Sequence, residues 1–172
     1  MRPLDVREAV PTPQDGAGPR TVGLGELVAA SAPTRLVTYG LGSCVGLCLY
    51  DPFGKVGGLA HVFLPWGDRD REGQPALYAN LAVERLVAAV AALGGDLRRL
   101  EAKMAGGARL FAHSDTLNVG ERNVEAVRTE LRRLDLRLVG EDVGGTRGRS
   151  LLFDLADGRT RVTSGGRDVR WI

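Results

Sequence analysis

From Val22 to Phe63, apolar residues recur with a period of two in short runs near 22–29, 35–39, 44–50 and 55–63, and each run predicts a β-strand. In the third run Val45, Leu47 and Leu49 share one face, while Cys44, Gly46, Cys48 and Tyr50 share the other. It stops at Asp51-Pro52-Phe53-Gly54, the composition of a type I turn. A polar loop from Trp66 to Gln74 follows, long enough to lie beside a site carried by the strands and to act as a flap. The period then changes: Val83, Leu86, Val87, Val90 and Leu93 recur at helical spacing until Gly94-Gly95 ends the helix. Leu100, Ala102 and Met104 alternate with charged residues in another half-buried strand. Asn118 and Glu121 have the spacing of a capping box, opening a second helix whose stripe is Val124, Val127, Leu131 and Leu134. Strands are predicted at 136–142 and 149–155, then at 160–164 after an Asp157-Gly158 turn, and last at 168–171.

Strands outnumber helices and mostly follow one another directly, which predicts an α+β fold of antiparallel or mixed sheets with two main helices. With 172 residues, 44% of them hydrophobic, the chain can bury one core. Residues 1–20 are polar and rich in Pro and Gly and read as a flexible tail, leaving 21–172 as a single domain. Net charge is +2, but Arg98-Arg99 and Arg132-Arg133 are interleaved with Glu101, Glu130 and Asp135, so no basic stripe for nucleic acid emerges. No apolar run approaches the roughly 20 residues that span a bilayer, and the first residues lack the apolar region of a signal peptide. A cytoplasmic protein with no membrane insertion is expected.

Chemistry concentrates at Cys44, a thiol leaving the glycine turn Gly40-Leu41-Gly42-Ser43. If Asp51 and Gly54 flank the hairpin turn, Cys44 falls opposite His61, with Cβ atoms roughly 5 Å apart. Read as a second hairpin, Gly40-Leu41-Gly42 sets Thr38 on the other side of Cys44, so that nucleophile, base and orienter share one row. An imidazole so placed is expected to lower the thiol's pKa. The amides around Gly42, Ser43 and Cys44 are candidates for an oxyanion hole. Without further information, Cys44 alone reads more readily as core filler than as a nucleophile, and Thr38 as an ordinary strand residue. Cys48 is assigned no role, and at strand rise its Cα lies roughly 13 Å from that of Cys44, too far for a disulfide. Two thiols so placed also fit poorly a zinc site shared with His61 and His113. His113 reads as solvated. The dinucleotide fingerprint suggested by Gly40-Leu41-Gly42 fails at Val45, where a third glycine is required.

Leu41-Gly42-Ser43-Cys44-Val45 with Ala60-His61-Val62-Phe63-Leu64-Pro65 resembles the CheD family of chemoreceptor glutamine deamidases. The likeness continues through Ala102-Lys103-Met104-Ala105-Gly106-Gly107-Ala108, through Asn118-Val119-Gly120 with Arg122-Asn123-Val124, and through Glu141-Asp142 with Gly144-Gly145 and Arg147. It covers about Val22 to Leu152, with Tyr39 and Phe63 as mild departures. The resemblance implies a layered α/β/β sandwich and a cofactor-free, metal-free hydrolase. Its catalytic cysteine, histidine and threonine fall on Cys44, His61 and Thr38. It also implies two partners: methyl-accepting chemotaxis receptors, whose glutamines become glutamates, and the phosphatase CheC. A non-catalytic adaptor that docks on receptors or on CheC is the alternative, and a cysteine peptidase a third reading.

Overall fold

The β4–β5 hairpin is buried on both faces, and the rest of the fold is arranged around that fact. The structure, a computed structural model, describes residues 18–69, 71–110 and 118–172. Strands β1 (Arg20–Thr21), β2 (Leu27–Ser31), β3 (Arg35–Leu41), β4 (Val45–Asp51) and β5 (Val56–Val62) come first, followed by helix α1 (Ala79–Ala92). A 3-10 turn at Leu97–Arg99 leads to β6 (Glu101–Gly106), helix α2 (Val119–Arg133), β7 (Arg137–Val143), β8 (Arg149–Asp154), β9 (Thr160–Ser164) and β10 (Asp168–Trp171). Two mixed five-stranded sheets result, ordered β1-β3-β8-β9-β10 and β2-β5-β4-β6-β7. Val45, Leu47 and Leu49 meet Val83, Leu86, Val90, Val127 and Leu131 under the two helices. On the opposite face Cys44, Cys48, Tyr50 and Leu59 meet Leu36, Leu41, Leu151 and Phe153 between the sheets. The layering is therefore α/β/β, as expected, and both faces of β4 are dry.

Three expectations need correction. Only the end of the run 22–29 is strand, at the start of β2, because Gly23 and Gly25, the latter at φ +73°, turn the chain between β1 and β2. β1 also begins at Arg20, inside the segment read as tail.

The hairpin register differs too. Asp51 pairs with Val56, so the loop holds four residues, and Lys55 takes a left-handed φ of +50° to close it. His61 consequently faces Gly46, and Cys44 lies just past the last rung, Val45 with Val62. The slip is two residues, so side chains keep their faces and thiol and imidazole still point between the sheets.

The third correction concerns β3 and β4, which form no hairpin but lie in different sheets. A bulge places Tyr39 and Gly40 opposite Ser150, with Gly40 at φ +70°. Leu41 turns inward and the chain crosses to the other sheet through Gly42-Ser43-Cys44.

At the far end of the hairpin, Asp51 is completely buried. Its carboxylate accepts from the amides of Phe53, Gly54 and Asp96 and from the Arg99 guanidinium at 2.7 and 3.1 Å. Arg99 in turn lies 5.6 Å above the Phe53 ring. Arg99 and these amides hold the Asp51 carboxyl well below the usual carboxylate range. Because the folded pKa is depressed, its stabilisation is present at neutral pH and fades as pH falls below the unfolded value of about 4. Asp51→Asn is expected to lose about 2–4 kcal/mol in urea unfolding at pH 7. The gap to the unsubstituted protein should narrow below about pH 4; a pH-independent gap would show that the charge is immaterial.

Candidate active site

Thr38 reaches the site from the opposite sheet. It is fully buried on β3, and its Oγ1 donates to the Val22 carbonyl at 2.8 Å while lying 2.8 Å from His61 Nδ1. A hydroxyl has one proton, and here it is spent on a carbonyl that can only accept. The contact with Nδ1 is therefore one in which imidazole N–H donates to Thr38, which puts the basic lone pair on Nε2. Nε2 is buried and makes no hydrogen bond among the described residues. The His61 backbone is held on both sides, its N–H donating to Glu26 O at 3.0 Å and its carbonyl accepting from Gly25 at 2.9 Å. Gly46, opposite His61, matters by what it lacks: a Cβ there would stand 3.0 Å from Leu41 and 3.4 Å from Thr38. The bare backbone lets the two sheets close on the imidazole.

Cys44 sits at the entry to β4, 7% exposed. The three carbonyls around it are all tied down from β6 and α2. Ala108 N–H donates to Gly42 O at 2.7 Å, Gly107 N–H to Cys44 O at 2.8 Å, and Asn123 Nδ2 to Ser43 O at 2.9 Å. Gly106, at φ +118°, is required for this wrapping, since a Cβ would collide with the Cys44 carbonyl oxygen. On the N–H side, Gly42 donates to Gly40 O at 2.9 Å, whereas the amides of Ser43 and Cys44 make no hydrogen bond to another described residue, that of Cys44 acting on its own thiol. Of the amides considered for an oxyanion hole, these two are open to a ligand and that of Gly42 is not.

Burial decides the electrostatics. It pushes the Cys44 thiol above its ordinary value, against the pull of its own backbone amide. Burial likewise lowers the His61 imidazole, partly offset by the Val22 carbonyl and by Glu26. Near neutral pH both groups are uncharged, so the expected lowering of the thiol is not what the resting site shows. Cys48, fully enclosed between the sheets, is pushed up to about 12 by burial, with Lys103 and Thr160 working the other way. Both cysteines are free.

Thr38 and His61 thus touch, from two sheets rather than one row, while Cys44 lies on the same inward face two residues from Gly46, the partner of His61, and makes no hydrogen bond to Nε2. His113 lies outside the described residues. Asn123 also reaches the site, although sequence reasoning assigns it no role; the signal for it is a polar residue on the buried stripe of α2. The 66–74 loop is anchored near the base, with the Gly67 peptide clamped by Asn80 and Gln74 packed on Gly25, whose N–H holds His61 O. A cavity of about 470 Å³ opens beside the start of α2, lined by Gly107, Asn118, Glu121, Arg128 and Gly144, and none of the three site residues borders it.

Cys44 should react with iodoacetamide while Cys48 stays unmodified, because Cys48 is enclosed between the sheets and far harder to ionise. Labelling should accelerate with rising pH and slow in His61→Ala, as read by peptide mass spectrometry. Equal labelling of the two thiols would contradict this picture.

Residues 63–164 match the family described as CheD chemotactic sensory transduction. Three relatives share the name "Probable chemoreceptor glutamine deamidase CheD". The Symbiobacterium thermophilum protein is 49% identical over 152 residues, covering 85% of this chain and 92% of its own. That of Archaeoglobus fulgidus is 47% identical over 153 residues, 88% and 96% of the two chains. That of Desulfitobacterium hafniense (strain DSM 10664 / DCB-2) is 45% identical over 145 residues, 83% and 91%. The family match begins after His61. A family match over more than half of the chain, joined to such identity along most of it, means that this chain belongs to the CheD family.

Proposed function

We propose that the chain is a cysteine-dependent amidohydrolase that converts glutamine side chains of methyl-accepting chemotaxis receptors to glutamate. The observation that carries this reading is the buried Nε2 of His61, without a hydrogen-bond partner among the described residues and left as the basic nitrogen because Nδ1–H donates to Thr38. In the proposed reaction Nε2 takes the proton of Cys44 as sulfur attacks the glutamine Cδ. The oxyanion is met by the Ser43 and Cys44 amides, neither of which is bound to another described residue. Imidazolium then protonates the departing amine, releasing ammonia and leaving a thioester. His61 next takes a proton from water, whose hydroxyl attacks the thioester, and returns it to the departing thiolate, yielding glutamate. No cofactor is needed for any step.

A neutral resting pair suits this chemistry, since charge develops only once substrate has displaced water from the site. With Cys44 almost wholly buried, a slender side chain with a terminal carboxamide suits the site better than an extended main chain. Exposed Tyr39, Phe63, Trp66 and Leu110 provide apolar contact near the site, Leu110 packing directly over Gly42. A receptor helix presenting its glutamine would rest there, and we assign CheC to the same surface. Such a partnership places the protein in the cytoplasm; no described helix is long and apolar enough to cross a membrane.

Intact-mass analysis of a receptor cytoplasmic fragment tests the reaction: deamidation adds about 1 Da per site with ammonia release, whereas cleavage gives fragments and an adaptor changes nothing. Cys44→Ala and His61→Ala should abolish turnover, and Thr38→Ala should slow it by roughly 10–100-fold. The acid limb of the rate should lie below the ordinary imidazole value of 6.5, because neutral His61 is the active form and burial lowers its pKa. A fully active Cys44→Ala protein would end the proposal.

Titrating CheC into the same assay should inhibit competitively, with Cys44→Ala used for binding measurements so that turnover does not interfere. Receptor and CheC bound together at an undiminished rate would instead mean separate surfaces.

A further inference from the structure

We infer that Asn123 is a positioning residue that aims the Cys44 amide at the oxyanion; this rests on the deamidase reading above. Asn123 is fully buried on α2 among Val124, Val127 and Leu131. Both hydrogens of its side-chain amide go to the ends of the two site strands, Nδ2 donating to Ser43 O at 2.9 Å and to Phe63 O at 3.0 Å. The β4–β5 ladder has ended at Val45 with Val62, and the Phe63 and Leu64 amides turn away to Leu77 O. One side chain therefore replaces the missing rung, tying the residue before the nucleophile to the residue two past the base.

The Ser43 carbonyl and the Cys44 N–H belong to one planar trans peptide, so anchoring the oxygen fixes the opposite direction of the N–H. That N–H has no hydrogen-bond acceptor in any other described residue and acts only on its own thiol, the group that attacks. The carbonyls on either side, Gly42 O and Cys44 O, are held by backbone amides of Ala108 and Gly107, which leaves Asn123 as the side chain that sets the middle peptide. Two acceptors facing Nδ2 also fix the amide's orientation, and Oδ1 is left buried with no partner among the described residues. The fold tolerates an unsatisfied acceptor to keep both donors on these carbonyls, as expected where a polar group serves geometry rather than stability.

An oxyanion donor assists addition to a carbonyl but has no part in displacement at an alkyl halide, and the test uses that difference. In full-length Asn123→Ala, kcat for ammonia release from a receptor cytoplasmic fragment should fall about 100-fold with KM changed less than about threefold. Affinity for a peptide aldehyde that mimics the glutamine side chain should fall comparably, because its hemithioacetal carries the oxyanion. The rate of Cys44 alkylation by iodoacetamide should stay within about threefold of the unsubstituted protein. Asn123→Asp keeps the shape and supplies the same comparison should the alanine variant lose its folded circular dichroism. Its activity should fall as pH rises and the new carboxylate repels both carbonyls, while alkylation rises. Alkylation falling in step with kcat, or kcat unchanged in both variants, overturns the assignment. Turnover by the unsubstituted protein separates the two: if that protein releases no ammonia the parent reading fails and this assignment falls with it, whereas unchanged kcat in both variants of a working enzyme overturns this assignment alone.

Discussion

One hydroxyl proton organises the site. Thr38 Oγ1 bridges the Val22 carbonyl and His61 Nδ1, and because it must donate to the first it must accept from the second. The tautomer of His61 follows, and with it the position of the basic lone pair. The bridge spans two sheets, so it exists only while their inner faces are packed together. Gly46 permits that approach by adding no side chain between the imidazole and the opposing Leu41 and Thr38. Catalytic geometry and inter-sheet packing are then the same interaction seen at two scales.

The site's electrostatics arise from the same packing. Withdrawing Cys44 and His61 from water penalises the charged form of each, raising one pKa and lowering the other. An ion pair formed in advance is therefore disfavoured, and in the proposed reaction proton transfer would accompany attack. The backbone around Cys44 is prepared for that moment. Its carbonyls are bound by Gly107, Ala108 and Asn123, while the amides of Ser43 and Cys44 carry no hydrogen bond to another described residue. Holding the acceptors and sparing the donors gives an anion-receptive surface without a formal positive charge.

Local pattern carried far along this chain. The change from period two to helical spacing located α1 and α2, Asn118 does cap α2 by accepting from the Glu121 amide, and the strands after α2 fall within a residue or two of their predicted bounds. Alternation also assigned Cys44 and His61 to the same inward side, and that survived the register error because the slip was even. The error itself came from Lys55, whose left-handed backbone lengthens the loop in a way that Pro-Phe-Gly does not announce.

Residue identity and periodicity, then, determined the elements, their faces and which side chains could do chemistry. The tertiary structure decided how those side chains meet. Thr38 is a neighbour of His61 because β3 and β5 stack in different sheets, a relation with no period along the chain. Asn123 joins Ser43 to Phe63 across a helix-to-sheet contact that likewise leaves no mark in spacing. Alternation reports only which way a side chain points, since it reflects backbone geometry within one strand. Which sheet a strand enters depends on the total apolar surface that the whole chain can bury, and that is settled only when every element is packed.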